Sequence, residues 1–342
     1  MTISRIIRGK GSRIMTEHTQ PPPRMAGLRA RLSNALKMAE QHRGRARVWI
    51  AAVVWLLIGG VVWTGAVAAA IASLHRSVTV ANQGGSAAGG ATAATSDGRA
   101  TGFAVWFGLL AIATLVFAHV AGGIPWAGLG MRRRDGRRRI FGGATGTAVL
   151  YAAAMLLADW LFHALTTSQG DGPRGYPGMG TPGAQLLAGD ITSSTFTGGI
   201  WEELTLLAIP VGLFTALVRL EKMGRTGRYV SWSVLVGVLL AARWAIHLYY
   251  GTQASLYVLV WAAAAAALFL ASGTIWPLVL AHSLFDAAAF TAARIPAANV
   301  PITWLFWAVV AAAVIVLAGT GRRWNRTRQA PRPNMLTSGG GI

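Results

Sequence analysis

The chain has 342 residues and no cysteine; 54% of its residues are hydrophobic and only 12% are charged. Soluble domains have about 25% charged residues, so this composition, with its long apolar runs, excludes an ordinary soluble protein and indicates several membrane spans. The lack of cysteine excludes a disulfide framework and a thiolate metal site. The net charge of +20 suggests nucleic acid as a partner, until the positions of the charges are considered.

The first 47 residues form a basic segment that contains three consecutive prolines at 21–23. Apolar residues recur between its arginines at helical spacing, at Met25, Leu28, Leu32, Leu36 and Ala39. Two interpretations remain open for this tail: a short amphipathic helix on anionic headgroups, or a partly disordered, solvated cytoplasmic tail.

Residues 48–321 are predicted to form an all-α, polytopic membrane helical bundle of about eight transmembrane helices, since each apolar segment approaches the roughly 20 residues of a span. Ser272-Gly273-Thr274 predicts a tight hairpin between the sixth and seventh spans. The eight spans are predicted at Val48–Leu74, Phe103–Leu129, Ile140–Leu165, Ser194–Leu217, Tyr229–Tyr250, Leu256–Ala271, Ile275–Ala293 and Thr303–Gly319.

The positive charges predict the orientation of the bundle. With both termini in the cytoplasm, 26 of the 31 Lys and Arg residues lie on the cytoplasmic side, as the positive-inside rule requires. They fall in the N-terminal tail, in 132–139, in 219–228 and in a basic cytoplasmic tail, 322–342. The charge therefore indicates N-in/C-in topology and contact of the basic tails with anionic lipid headgroups, in a multi-pass protein of the plasma membrane. It does not indicate a nucleic-acid partner.

Two outer loops are of low complexity. Residues 77–101 are rich in Ala, Gly, Ser and Thr, and residues 168–185 are rich in Gly and Pro. Both compositions predict flexible segments. The second loop leads into the fourth span, so it is interpreted either as a plain linker or as a cover over an entrance.

Two adjacent carboxylates, Glu202 and Glu203, interrupt the fourth span. Each buried charge in a bilayer costs several kcal/mol, at about 2.5–3.5 kcal/mol on the mildest scale, so ionisable residues within spans are usually functional. On an α-helix the two side chains point about 100° apart, so one is expected to face a cavity while the other braces it. Mutual repulsion favours a proton on one of them, which suits a general base that acts on water.

Two other spans contain polar pairs at a spacing of four residues, which places each pair on one helix face. These pairs are Arg243 with His247 and His282 with Asp286. A guanidinium within a span needs a carboxylate, and Glu202 or Glu203 is the candidate. Asp159 and His163 form another such pair, interpreted either as lining the outer mouth or as structural; His119, which is alone, is predicted to be structural.

These motifs resemble the CPBP family of intramembrane proteases, also called the CAAX prenyl protease 2 or Abi family, in its actinobacterial branch. The resemblance covers Gly199 to Phe290, within a core of about 190–295, and rests on three motifs. They are the Glu-Glu pair, Arg243-Trp-Ala-Ile-His-Leu-Tyr-Tyr-Gly251 and Trp276-Pro-Leu-Val-Leu-Ala-His-Ser-Leu-Phe-Asp286.

The resemblance implies an endopeptidase in which Glu202 activates water that is held by His247 and His282. Those three residues would also suit a zinc ion with an open position, and the same set can hold the water without a metal. The implied substrate is a peptide within or beside the membrane.

Two positions depart from the family pattern. Asp286 replaces an asparagine, and Leu207 stands where the family commonly has an arginine that pairs with the second glutamate. An ionised aspartate cannot donate a hydrogen bond to an oxyanion, so Asp286 is either protonated or has another role, such as orienting His282. Arg243 is the predicted substitute for the missing arginine.

Two other functions remain open at this point. One is a catalytically inactive CPBP-like membrane scaffold or immunity protein. The other is a proton-coupled transporter, because buried acids and histidines also form proton relays. No pair of Gly- or Pro-broken helices in two related halves is visible in the sequence to support the transporter.

Overall fold

A computed structural model describes residues 23–82, 98–131, 143–166, 184–221, 224–248 and 256–329. Within these ranges the chain is all-α and contains no strand. The helices are α1 (Pro23–Asn82), α2 (Gly98–Val120), α3 (Ala144–Thr166), α4 (Ala184–Ser194), α5 (Ile209–Leu220), α6 (Arg225–Ile246), α7 (Leu256–Ser272), α8 (Trp276–Arg294) and α9 (Asn299–Gln329). Two π-helical turns, Thr195–Glu202 and Leu204–Ala208, join α4 to α5.

The chain is a polytopic membrane bundle. Six of the described helical segments are long and apolar enough to cross a bilayer. Of the two other predicted spans, α7 is apolar but shorter, and α8 is a 19-residue helix that contains His282 and Asp286. The all-α prediction is confirmed; the count of eight spans and the N-in/C-in orientation stay predictions.

The interior lies between α3, α7, α8 and the π-helical segment. Helix α3 packs on α7 and α8, while the π-helical segment packs on α8 and α2. The outer helices differ sharply from these: only 6% of the apolar window of α9 and 17% of that of α6 is buried. Large apolar side chains such as Trp304 and Ile315 are therefore exposed, which is stable when lipid covers them.

Two predicted helix ends were wrong. Helix α2 ends at Val120 rather than Leu129, because Gly123 and Gly130 adopt positive φ values of 66° and 76° and Pro125 lies between them. Helix α6 ends at Ile246 rather than Tyr250, so His247 terminates the helix instead of lying within it. A tight turn is present between α7 and α8, where Gly273 adopts a positive φ of 69°.

The chain divides into two compact units, Met1–Arg43 and Gly44–Ile342. In the first unit the described residues are helical from Pro23 onward. Most of both low-complexity loops, the start of the N-terminal tail and residues 330–342 of the C-terminal tail lie outside the described residues. Glu202, Glu203, Arg243 and His282 all belong to the second unit.

Candidate active site

The two glutamates lie in a π-helical part of the fourth span rather than in a regular α-helix. Glu202 ends the first π-helical turn and Glu203 separates it from the second. Each π-turn includes more residues than an α-turn, so neighbouring side chains diverge less, and such turns are frequent at functional sites. Both carboxylates are buried and contact one arginine. The expected division into one carboxylate that faces a cavity and one that braces it stays a prediction.

Pro210 explains the second π-turn. Proline has no N–H to donate and its ring collides with the carbonyl one turn earlier, and the preceding segment widens so that Ile209 donates to Leu204 O. In this i→i+5 pattern the partner of Thr205 O would be Pro210, which cannot donate. The indole N–H of Trp55 donates to Thr205 O instead, at 3.0 Å.

Replacing that indole donor is expected to destabilise the site. Trp55→Phe leaves the Thr205 carbonyl without its donor, and we expect the free energy of unfolding to fall by about 1–3 kcal/mol. Unfolding in mixed micelles by denaturant titration measures it. Trp49→Phe is the matched control, because Trp49 is on the same helix and 54% exposed. Equal unfolding curves for the two variants would contradict this role of Trp55.

Glu203 is the most enclosed residue of the site, with no exposed surface. Its Oε1 accepts hydrogen bonds from Tyr151 Oη at 2.7 Å, Arg243 Nη2 at 2.5 Å and His282 Nδ1 at 2.8 Å. These donors come from α3, α6 and α8, so one oxygen joins three helices to the fourth span. Its Oε2 is buried without a hydrogen-bond partner among the described residues, an arrangement that favours a water at that oxygen.

Arg243 joins the two carboxylates. Its Nε donates to Glu202 Oε2 at 3.2 Å while its Nη2 donates to Glu203. The guanidinium also lies 4.4 Å from the centroid of the Trp261 ring, within cation–π distance. The predicted pairing of Arg243 with the glutamates is thus present, and Leu207, at the position of the family's arginine, is buried among apolar residues.

Both histidines are buried and their rings have defined orientations. His247 Nδ1 donates to the backbone carbonyl of Arg243 at 2.8 Å, and His282 Nδ1 donates to Glu203. These partners accept only, so each ring holds its hydrogen on Nδ1 and in the neutral form has its lone pair on Nε2. His247 Nε2 lies 3.8 Å from Glu202 Oε1. The ring of Trp261 lies edge-on to both imidazoles.

Asp286 is the most open acid of the site, with 22% of its side chain exposed. Its Oδ2 lies 3.9 Å from His282 Nε2, which is too far for a hydrogen bond. Glu203, not Asp286, therefore orients the His282 ring. A Cβ atom on Gly198 would collide with the Asp286 carboxylate and lie 3.2 Å from His282 Nε2, so glycine is the residue that fits there.

Gly198→Ala is expected to disturb this part of the site. The added methyl group displaces Asp286 or the helix, and overpacking of this kind costs about 1–3 kcal/mol. Gly237→Ala is the control, because a Cβ there meets nothing within 4 Å and alanine favours a helix. We expect thermal unfolding of Gly198→Ala at a lower temperature and of Gly237→Ala at the same or a higher one. The reverse order would exclude close packing at Gly198.

Sequence reasoning missed two residues of the site, Tyr151 and Trp261. Both are apolar in character and lie in apolar spans, so they are indistinguishable from core residues in the sequence. A buried tyrosine needs a hydrogen-bond partner, which was the available signal for Tyr151.

A separate buried ion pair was also missed: Arg294 Nε donates to Asp190 Oδ2 at 2.7 Å and joins the end of α8 to α4.

The other predicted polar residues lie elsewhere. The contacts of His119 are consistent with the predicted structural role: its Nδ1 forms a hydrogen bond with Ile124 O at 2.8 Å, and its ring stacks on Trp126. Asp159 is half-buried, and the side chain of His163 lies outside the described part of the chain. The proposed outer mouth therefore stays a prediction.

A metal ion was one of the two arrangements implied for the site. Among the described residues there is no group of three or more His, Cys, Asp or Glu side chains placed to hold one. The assignment of a metal ion to His247, His282 and Glu202 stays a prediction.

The fold and the site together define an all-helical, multi-span membrane protein with a buried ionic centre. No protein-family model matches the chain, and neither a curated protein nor a solved structure matches it. The similarity to CPBP proteases rests on the three sequence motifs alone.

Proposed function

We propose that this protein is an endopeptidase of the plasma membrane that hydrolyses a peptide bond within or next to the bilayer. One observation supports this most: Glu202, Arg243, His247 and His282 are drawn together from three helices into one buried cluster. Burying such a set without a use would cost stability, because the desolvation of ion pairs offsets much of their attraction.

The two carboxylates have different environments that suit different roles. Glu203 Oε1 accepts from three donors, which fix its position and stabilise its charge. Glu202 has a small exposed fraction, 7%, and among the described residues its Oε1 makes a longer contact, 3.8 Å, with His247 Nε2. We therefore assign Glu202 as the general base and Glu203 as the residue that positions Arg243 and His282.

The distances around Glu202 accommodate a water molecule. Glu202 Oε1 and His247 Nε2 are 3.8 Å apart, and a water oxygen at about 2.8 Å from each forms hydrogen bonds with both. Such a water donates to the carboxylate and to the imidazole lone pair. Transfer of its proton to Glu202 leaves a hydroxide that attacks the peptide carbonyl. The C–N bond then breaks as Glu202 returns that proton to the departing amine.

Peptide cleavage by purified protein tests this function. The full chain in lipid nanodiscs is incubated with a library of quenched fluorescent peptides, and new termini are identified by mass spectrometry. Cleavage at defined bonds is expected. Absence of cleavage across a library that includes membrane-inserted peptides, together with pH-dependent solute flux in proteoliposomes, would instead establish a transporter. Metal analysis of the same active sample decides between zinc and a metal-free water.

A further inference from the structure

An open cavity of about 460 Å³ lies where helix α6 begins, away from the buried cluster. It is lined by Arg225, Arg228, Tyr229 and Trp232. Arg225 and Arg228 lie three residues apart, so they share a face in the first turn of the helix. This end of α6 lies in the basic stretch 219–228 that is predicted to face the cytoplasm.

The two arginines have no carboxylate partner within the described residues. The acidic residue closest in sequence, Glu221, pairs with Arg45 at 3.4 Å instead. Both arginines are exposed, and the cavity is therefore positively charged. Arginine side chains contact phosphate through paired N–H donors, which a compact ammonium group cannot do in the same way.

The aromatic residues give the cavity an apolar side. The Arg225 guanidinium lies 5.8 Å from the centroid of the Tyr229 ring. Trp232 contacts Phe214 of α5 edge-on at 4.7 Å, which fixes the indole against the bundle. Tyrosine and tryptophan are typical of the level of the lipid headgroups. The cavity thus combines cationic groups, which suit a phosphate, with aromatic groups, which suit the glycerol and the start of the acyl chains.

We propose that this cavity binds an anionic phospholipid, with the phosphate on Arg225 and Arg228 and the glycerol and upper acyl chain on Tyr229 and Trp232. Charge complementarity selects the lipid over a neutral partner, because anionic lipids attract juxtamembrane basic groups. The aromatic side selects a lipid over a soluble phosphate. This site is independent of hydrolysis at the buried cluster.

Binding here has a consequence for the rest of α6. This helix contains Arg243 and is followed directly by His247, yet only 17% of its apolar window is buried in the protein. A lipid bound at its first turn adds contacts that the bundle itself lacks. The lipid is therefore expected to stabilise the folded protein as a ligand that prefers the native state does.

Lipid binding is tested with the purified full chain. Native mass spectrometry in detergent, with equal additions of phosphatidylglycerol and phosphatidylcholine, measures the occupancy of each lipid, and a thermal shift is recorded in parallel. We expect phosphatidylglycerol to bind more tightly than phosphatidylcholine and to raise the unfolding temperature. The double variant Arg225→Gln/Arg228→Gln is expected to bind phosphatidylglycerol about 30-fold more weakly, at about 1 kcal/mol for each arginine.

Two controls test whether the loss of binding is specific to this cavity. Arg47→Gln/Arg322→Gln removes two other exposed charges and should leave the preference unchanged; an equal loss would overturn the site and indicate bulk charge alone. Excess glycerol phosphate should not displace the lipid, and displacement would identify a soluble phosphate site instead. Equal binding of the two lipids by the native protein would also overturn the proposal. If the double variant does not fold, Arg228→Gln alone should weaken binding about fivefold, and an unchanged affinity would overturn the site.

Discussion

Glu202→Gln is expected to lower kcat for peptide cleavage by about 10²–10⁴-fold, the usual contribution of a general base. Glutamine keeps an oxygen that accepts from Arg243 Nε, which lies 3.2 Å from Glu202 Oε2 in the native site. It cannot take a proton from water at neutral pH. The free energy of unfolding should therefore change by less than about 1 kcal/mol, and KM should change little.

Glu203→Gln, in contrast, is expected to lower the stability of the protein substantially. The native Oε1 accepts from Tyr151, Arg243 and His282, and removing the charge at this fully buried position is expected to cost about 3 kcal/mol of stability. Kinetic assays and denaturant titrations on the two variants separate the roles. A Glu202→Gln protein that cleaves at the native rate, or a Glu203→Gln protein as stable as the native one, would contradict the division.

Arg243→Ala is expected to destabilise the protein by about 3–5 kcal/mol, because it leaves two buried carboxylates without their counter-charge. It also removes the cation–π contact with Trp261. Denaturant titration in mixed micelles measures the loss, and peptide cleavage should disappear with it.

Two further variants test whether the lost charge compensation causes the instability of Arg243→Ala. Arg243→Lys keeps the charge but is not expected to contact both carboxylates as the planar guanidinium does, so an intermediate stability is expected. Arg243→Ala/Glu203→Gln removes the cation and one anion together and should be more stable than Arg243→Ala alone. A stable and fully active Arg243→Ala protein would exclude this residue from the site.

The membrane architecture was predictable from the apolar segments. The main polar contacts were predictable from the free-energy cost of leaving a charge unpaired within a span. Charges in a span need partners whichever way the helices pack, so Arg243 and the two glutamates were expected to meet. The limits of α7 and α8 were likewise encoded locally: Gly273 permits the left-handed turn between them, and Pro277 lies in the first turn of α8.

The π-helical turns were not predictable, because hydrophobic periodicity in a fully buried helix is weak and does not distinguish 3.6 from wider turns. Residues 201–213 are buried on every side. The widening depends on a proline and on a hydrogen bond from a distant helix, Trp55 to Thr205 O.

The residues that surround the site could not be identified from the sequence for a related reason. Tyr151 and Trp261 contribute one hydroxyl and one ring face to it. Their roles depend on which helices are neighbours, and a single sequence contains no direct record of those neighbours. The same holds for Asp190 and Arg294, which are separated by 104 residues yet form a buried pair.

A cryo-EM reconstruction of the full chain in a lipid nanodisc, at a resolution that shows side chains, tests the convergence of the three helices most directly. We expect Arg243 Nε at about 3.2 Å from Glu202 Oε2 and His282 Nδ1 at about 2.8 Å from Glu203 Oε1. Glutamates and histidines separated by more than about 10 Å, beyond the reach of direct ion pairing, or turned toward the acyl chains, would contradict it.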